Sequence, residues 1–260
     1  MTTPLLSIII PCYNQGQYLA ESIRSVLGSA YTDIEIIVVD DGSTDPETCQ
    51  ILDALGYPKA RLIRRKNGGL AAARNTGITG AKGKYILPLD ADDRIGPAYI
   101  GQAVAALEAN PDVGIVYCRA EKFGAEAGPW RLAPFSDWRM RLGNSIFCSA
   151  VYRRTDWLAV GGYDETLRRG WEDWDFWISL LELGRLVIRL SDVGFYYRKS
   201  PASMAAGMPP ELKIRLHKRL MEKHPTFFGQ WGFLLQFVLP VYYHLAASSL
   251  YRGIKKGLGR

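Results

Sequence analysis

Tyr85-Ile86-Leu87-Pro88-Leu89-Asp90-Ala91-Asp92-Asp93 joins an apolar run of strand length to three carboxylates within four residues. Runs of this kind form buried strands, and open α/β sheets take their ligands at the carboxyl ends of strands. Three acids held so close raise one another's pKa. A divalent cation that favours hard oxygen ligands, Mg²⁺ or Mn²⁺, relieves the repulsion, and such a cation suits a diphosphate. Taken alone the stretch has an equal second reading. It is also an acidic turn that opens the next helix, where Asp complements the helix dipole.

The segments before it weigh on that choice. Leu5 to Pro11 is a continuous apolar run and predicts a buried strand; Tyr18 to Ser29 has helical spacing. Ile34 to Val39 predicts a second buried strand, ending in Asp40-Asp41-Gly42-Ser43-Thr44-Asp45, with Ser43 or Thr44 as cap of a helix reaching about Leu55. Arg61 to Arg65 predicts a short strand, Asn67-Gly68-Gly69 a break, and Leu70 to Thr79 a helix that leads into the strand before Asp90. The alternation predicts an α/β fold with a mostly parallel sheet flanked by helices, Rossmann-like. In such a sheet Asp40-Asp41 and Asp90 to Asp93 meet at one edge, a convergence less expected by chance than either acidic turn alone. No G-x-G-x-x-G or G-x-x-x-x-G-K-[ST] follows the first strand, which argues against dinucleotide dehydrogenases and P-loop NTPases.

Downstream, Pro97 to Asn110 predicts a helix and Val113 to Cys118 a strand. Residues 119–145 lose the alternation and look like an irregular insertion over the site. Six of the seven tryptophans lie between Trp130 and Trp177; each can stack on a sugar ring or fill core. Ser145 to Arg153 predicts a strand. Trp171-Glu172-Asp173-Trp174 opens a helix running to about Leu183. Acids at a helix start are ordinary caps, but apolar neighbours raise a carboxyl pKa toward the range of a general base.

These motifs together, from Ser7-Ile8-Ile9-Ile10-Pro11-Cys12-Tyr13-Asn14 through Val38-Val39-Asp40-Asp41-Gly42-Ser43, Asn67-Gly68-Gly69, Ala72-Ala73-Arg74-Asn75, Leu89-Asp90-Ala91-Asp92-Asp93 and Gly161-Gly162-Tyr163-Asp164-Glu165 to Glu172-Asp173, resemble the family 2 glycosyltransferases of GT-A fold over about residues 5–200. The resemblance implies an inverting transferase that uses a nucleotide-diphospho sugar. It implies that Pro11, Tyr13 and Asp41 line the base and ribose pocket, with Asp40 beside them and Asn67 in the glycine turn. It takes Arg74 to the nucleotide or diphosphate. Asp90 and Asp92 form the D-x-D element, Asp92 as metal ligand, Asp90 as ribose or outer contact, Asp93 as substitute. Asp173 is the implied general base and Glu172 its orienting neighbour. One position departs from the family: Tyr196-Tyr197-Arg198-Lys199-Ser200 has Ser200 where many members have a metal-approaching His. Three outcomes stay open there: water completes the Mn²⁺ or Mg²⁺ shell, Lys199 supplies charge to the diphosphate, or metal dependence is weak. The alternatives are a catalytically silent nucleotide-sugar-binding subunit and a sugar-phosphate nucleotidyltransferase.

Charge divides the chain. The net charge is +6, yet residues 201–260 hold nine Lys or Arg against two Glu, leaving residues 1–200 close to neutral. A basic groove through the domain is missing, so nucleic acid is not the expected partner. Pro225 to Tyr251 has no Asp, Glu, Lys or Arg, and Arg252, Lys255, Lys256 and Arg260 follow it. An aromatic, uncharged stretch with flanking cations predicts peripheral membrane contact over 225–260, with packing against protein and a membrane-spanning helix as the competing readings. The expected organisation is a nucleotide-sugar-binding half (1–118), an acceptor-binding and catalytic half (119–200) and a C-terminal helical extension (201–260). The expected acceptor is a saccharide or lipid-linked saccharide. Scattered cysteines and an N-terminus without a leader pattern predict the cytoplasm or the cytoplasmic membrane face.

Overall fold

The computed structural model of the chain describes residues 5–200 and 208–247. Its elements, in chain order, are β1 (Leu6–Cys12), α1 (Gly16–Leu27), β2 (Ile34–Asp40), α2 (Pro46–Asp53), β3 (Ala60–Arg64), α3 (Leu70–Thr79), β4 (Tyr85–Pro88), β5 (Arg94–Ile95), α4 (Tyr99–Ala109), β6 (Val113–Gly124), β7 (Gly128–Trp130), α5 (Asp137–Leu142), β8 (Val151–Arg153), α6 (Arg154–Ala159), α7 (Glu172–Glu182), β9 (Leu186–Lys199), α8 (Pro210–Lys223) and α9 (Pro225–Ala247). The chain divides into two compact units, Met1–Pro201 and Ala202–Arg260.

In the first unit the strands form a mixed sheet in the order β3-β2-β1-β4-β8-β6-β9-β5, with β7 paired to β6. The half containing β3, β2, β1 and β4 is parallel throughout. Every residue of β1 is buried, as continuous apolar strands in a two-sided sheet should be. Register explains why the acids converge. Cys12 lies opposite Asp40, and Ile9 lies opposite Pro88. Extending that register three residues sets Cys12 beside Ala91, so both acidic turns leave the same edge.

Pro88 in an interior strand would break a ladder if its missing N–H faced a partner. The amides of Tyr85 and Leu89 donate toward β1, to the carbonyls of Leu5, just before that strand, and of Ile9 within it. Pro88 therefore faces the other way, toward β8, which pairs only as far as Ile86. The proline falls where no ladder remains.

Helix α3 lies unusually close to the sheet. A Cβ on Gly77 would come within 2.5 Å of an Ile9 methyl carbon and 3.0 Å of one on Val39. This approach sinks the polar residue Arg74, on the same helix, to 0% exposure.

Several expectations are corrected. The cap of α2 is Asp45, whose carboxylate accepts from the Thr48 amide at 2.8 Å, not Ser43 or Thr44. The strand predicted over 145–153 is only β8. Residues 145–150 turn instead, burying Ile146 and Phe147, because an apolar run alone does not distinguish a strand from a buried loop. The insertion expected over 119–145 is partly regular: β6 continues to Gly124, β7 pairs back on it, and Ser136 caps α5. Strand β9 was not foreseen. It runs parallel to β6 and, through Tyr196 opposite Arg94, returns to the end of the Asp90–Asp93 turn.

In the second unit α8 buries Leu212, Leu216, His217 and Leu220. The helix α9 is broken at Gly229 and contains Pro240. His217 Nδ1 lies 3.0 Å from the Tyr243 hydroxyl. Among the described residues no helix is long and apolar enough to cross a membrane. The cations Arg252, Lys255, Lys256 and Arg260 lie outside the described residues.

Candidate active site

The two acidic turns are built differently. At the end of β2, Asp40 accepts from the Ser43 amide at 2.8 Å. Asp41 accepts from the amides of Gly68 (3.0 Å) and Gly69 (2.7 Å) and from Arg65 Nη1 at 2.8 Å. Its carboxylate thus pins the glycine turn that starts α3. Gly42 and Gly69 stand at φ +75° and +91°, where an L side chain is strained. Nearby, Asn14 Oδ1 accepts from the Thr44 and Asp45 amides, closing the loop after β1 onto the loop after β2. Pro11 is buried, while Tyr13 and Asn67 are exposed at this edge.

At the end of β4, Asp90 is held on both oxygens. Arg74 Nη2 donates at 2.8 Å, and the Cys148 thiol lies 3.5 Å from the other oxygen. Asp92 and Asp93 are less well served. Burial, then the Asp90 charge, pushes Asp92 up to about 6. Burial, then Asp90 and Asp92, pushes Asp93 well above the usual carboxylate range. Asp93 Oδ1 accepts from the Arg198 amide at 2.8 Å, but its buried Oδ2 has no partner. Arg198 Nε also donates to the Asp92 carbonyl at 2.8 Å, and its guanidinium pairs with Glu21 and lies 4.6 Å from the Tyr18 ring centroid and 4.3 Å from that of Phe123.

The base candidate sits at the start of α7. The Asp173 carboxylate accepts from Asn144 Nδ2 at 2.9 Å and from the Trp174 amide at 2.8 Å. Burial, then the neighbouring Glu172, pushes it up to about 7, against the opposing pull of Arg74. Glu172 bonds Arg74 Nη1 at 2.7 Å. One arginine therefore links the Asp90 turn to the Glu172-Asp173 element. Lys199, 5.5 Å from the Tyr197 ring centroid, ends β9, and Ser200 follows it, both half-buried.

Among the described residues no three His, Cys, Asp or Glu groups form a ready metal cage. The donor set still fits a hard cation. Asp92 and Asp93 are crowded carboxyl groups, one with an oxygen that has no protein partner, and Mg²⁺-type sites use one or two carboxylates with substrate phosphates and water for the rest. Asn144, Arg198 and Cys148 were not singled out as site residues from the sequence. Arg198 stood inside a quoted motif; nothing local marks Asn144 or Cys148. The tryptophans divide: Trp174 and Trp177 are core, Trp157 bonds Asn75 at 3.1 Å, and Trp138 is 44% exposed. Trp130 packs 4.7 Å from Tyr197, ring to ring.

The family model "Glycosyl transferase family 2" matches residues 7–161. A chondroitin synthase of Escherichia coli is 29% identical over 189 residues, covering 70% of this chain and 27% of that protein. An uncharacterized glycosyltransferase, YibD, of Escherichia coli strain K12 is 34% identical over 163 residues, covering 62% of this chain and 44% of its own length. The chain thus spans less than half of these two relatives. The fold resembles S. aureus TarS residues 1–349 in complex with UDP-GlcNAc, with TM-score 0.69 and 22% identity over 84% of this chain and 66% of that one. The chain has a GT-A fold and belongs to the family 2 glycosyltransferases.

Proposed function

We propose that the chain transfers one sugar from a nucleotide-diphospho sugar, a UDP-sugar, to a saccharide hydroxyl with inversion at the anomeric carbon. The observation that carries this reading is Asp173, a carboxylate pushed up to about 7 and tied through Glu172 and Arg74 to the Asp90 turn. A sugar hydroxyl is a poor nucleophile at neutral pH, and a carboxylate with a raised pKa is suited to accept its proton as it attacks. Asn144 and the Trp174 amide aim that carboxylate. No second carboxylate is nominated as a covalent nucleophile, so a single displacement is the simplest course. Asp92, with Asp90 and Asp93, would hold Mn²⁺ or Mg²⁺. When bound, that ion would neutralise the charge of the departing nucleoside diphosphate. The edge formed by Pro11, Tyr13, Asp40 and Asn67 is the proposed nucleoside pocket, and Lys199 and Ser200 are the proposed groups beside the diphosphate. Residues 119–200 would receive the acceptor, a hexosyl or N-acetylhexosaminyl product being the expected outcome.

Asp173→Asn should abolish turnover while leaving UDP affinity intact; an active variant would show that the base lies elsewhere. The face of α9 that exposes Leu234, Phe237, Val238, Val241 and Leu245 supports peripheral membrane contact, with a lipid-linked saccharide as acceptor. Sedimentation with anionic vesicles, lost in Phe237→Ser, is the expected result.

A further inference from the structure

We infer that Arg74 is a positioning residue, a buried strut that sets the base-carrying start of α7 against the donor-side turn before either substrate arrives. The inference rests on the glycosyltransferase reading above and assigns Arg74 a role distinct from a diphosphate ligand. Its side chain is 1% exposed. Each terminal nitrogen is committed to a carboxylate, Nη1 to Glu172 at 2.7 Å and Nη2 to Asp90 at 2.8 Å. Burial works against the charge, and the two carboxylates restore it, so the guanidinium stays protonated. The Tyr163 ring lies 5.6 Å from it, and the Tyr163 hydroxyl lies 3.2 Å from that of Tyr152. The next residue extends the same link. Asn75 Oδ1 accepts from the Tyr163 amide at 2.9 Å and from Trp157 Nε1, and its Nδ2 donates to the Tyr163 carbonyl at 2.9 Å.

Helix α3 thus reaches two segments roughly ninety residues away in sequence through adjacent side chains. An arginine suits the task because its planar fork spans two carboxylates at once, whereas a lysine ammonium is a single point. The close seat of Gly77 on Ile9 and Val39 fixes the helix from which the fork projects.

The test compares Arg74→Lys, Glu172→Gln and the double variant. Three quantities are read: kcat, affinity for UDP with Mn²⁺, and hydrogen exchange of the amides of residues 172–177. If the strut positions the base, both single variants lower kcat by about a hundredfold, the scale of an ångström of misplacement. Glu172→Gln leaves UDP affinity within about threefold, the double variant is no worse than either single one, and exchange at 172–177 rises in all three. Unchanged exchange in both single variants would overturn the inference. So would an Arg74→Lys protein that loses UDP affinity by more than about tenfold while Glu172→Gln keeps it, since that places Arg74 on the diphosphate. Should Arg74→Lys not fold, Glu172→Gln alone decides through kcat and exchange. A wild-type protein that binds no nucleoside diphosphate would sink the proposed function, and the exchange measurement would still judge the strut.

Discussion

Two strand ends carry acids at the same edge of the sheet, yet the protein treats them in opposite ways. After β2, both oxygens of Asp41 are consumed by the Gly68 and Gly69 amides and Arg65. After β4, Asp92 is pushed up to about 6 and Asp93 higher, and one buried oxygen of Asp93 has no partner. Sequence position alone makes the two turns equivalent. Their hydrogen-bond partners separate them: one set of acids holds a loop in shape, the other includes crowded carboxyls that hold protons a cation would displace. Buried polar groups are ordinarily satisfied, and at this turn the unpartnered Asp93 oxygen stands beside a second crowded carboxyl, Asp92.

Exchanging one acid from each turn tests the contrast most strongly. Asp92→Ala should lower kcat/KM by at least roughly a hundredfold, the scale of losing a metal that stabilises the leaving charge. It should remove the Mn²⁺ dependence of UDP binding without lowering the melting temperature. Asp41→Asn should do the reverse. Its new amide would set a donor against the Gly68 or Gly69 N–H, costing about 2–3 kcal/mol and lowering the melting temperature by roughly 4–12 °C. Thermal melts with and without Mn²⁺ and UDP read both. If Asp92→Ala melts early and Asp41→Asn does not, the assignment of the two turns is reversed.

The edge itself was legible because strand and helix periods alternate plainly up to Asp93, and a parallel sheet sends successive strand ends to one side. Helix α3 falls on the residues predicted, Leu70–Thr79. The cap of α2 was also legible in principle: Pro46 at the first helical position marks Asp45 as the cap, a stronger signal than the hydroxyls of Ser43 and Thr44. What stayed hidden depends on segments that meet only in the fold. Asn144 reaches Asp173 across 29 residues, and Arg198 reaches Asp93 across 105. The burial of Arg74 was hidden for the same reason. Nothing local in an Ala-rich helix after a glycine turn marks its arginine as buried; the seat of Gly77 against the sheet is visible only in the fold.

The smallest expected effect is the most diagnostic in sign. A carboxyl whose folded pKa lies above its unfolded value, about 4, contributes stability that is fully present below that value and lost as pH rises through the folded pKa. Asp92 and Asp93 are both raised, first by burial and then by acidic neighbours. Without metal, the protein should therefore lose stability as pH climbs from about 4 through about 6 and above. Mn²⁺ with UDP should then stabilise it more at about pH 7.5 than at about pH 5.5, because a cation displaces the protons. Asp93→Asn isolates the cause. Its Oδ1 can keep the Arg198 amide while an uncharged Nδ2 takes the place of the orphan oxygen, so the metal-free melting temperature should rise at about pH 7.5 and change less at about pH 5. The same substitution at Asp41 should destabilise at both pH values. Opposite signs for one chemical change at two neighbouring turns would follow from the partners each carboxylate has; equal signs would mean that the Asp93 oxygen is no worse satisfied than those of Asp41.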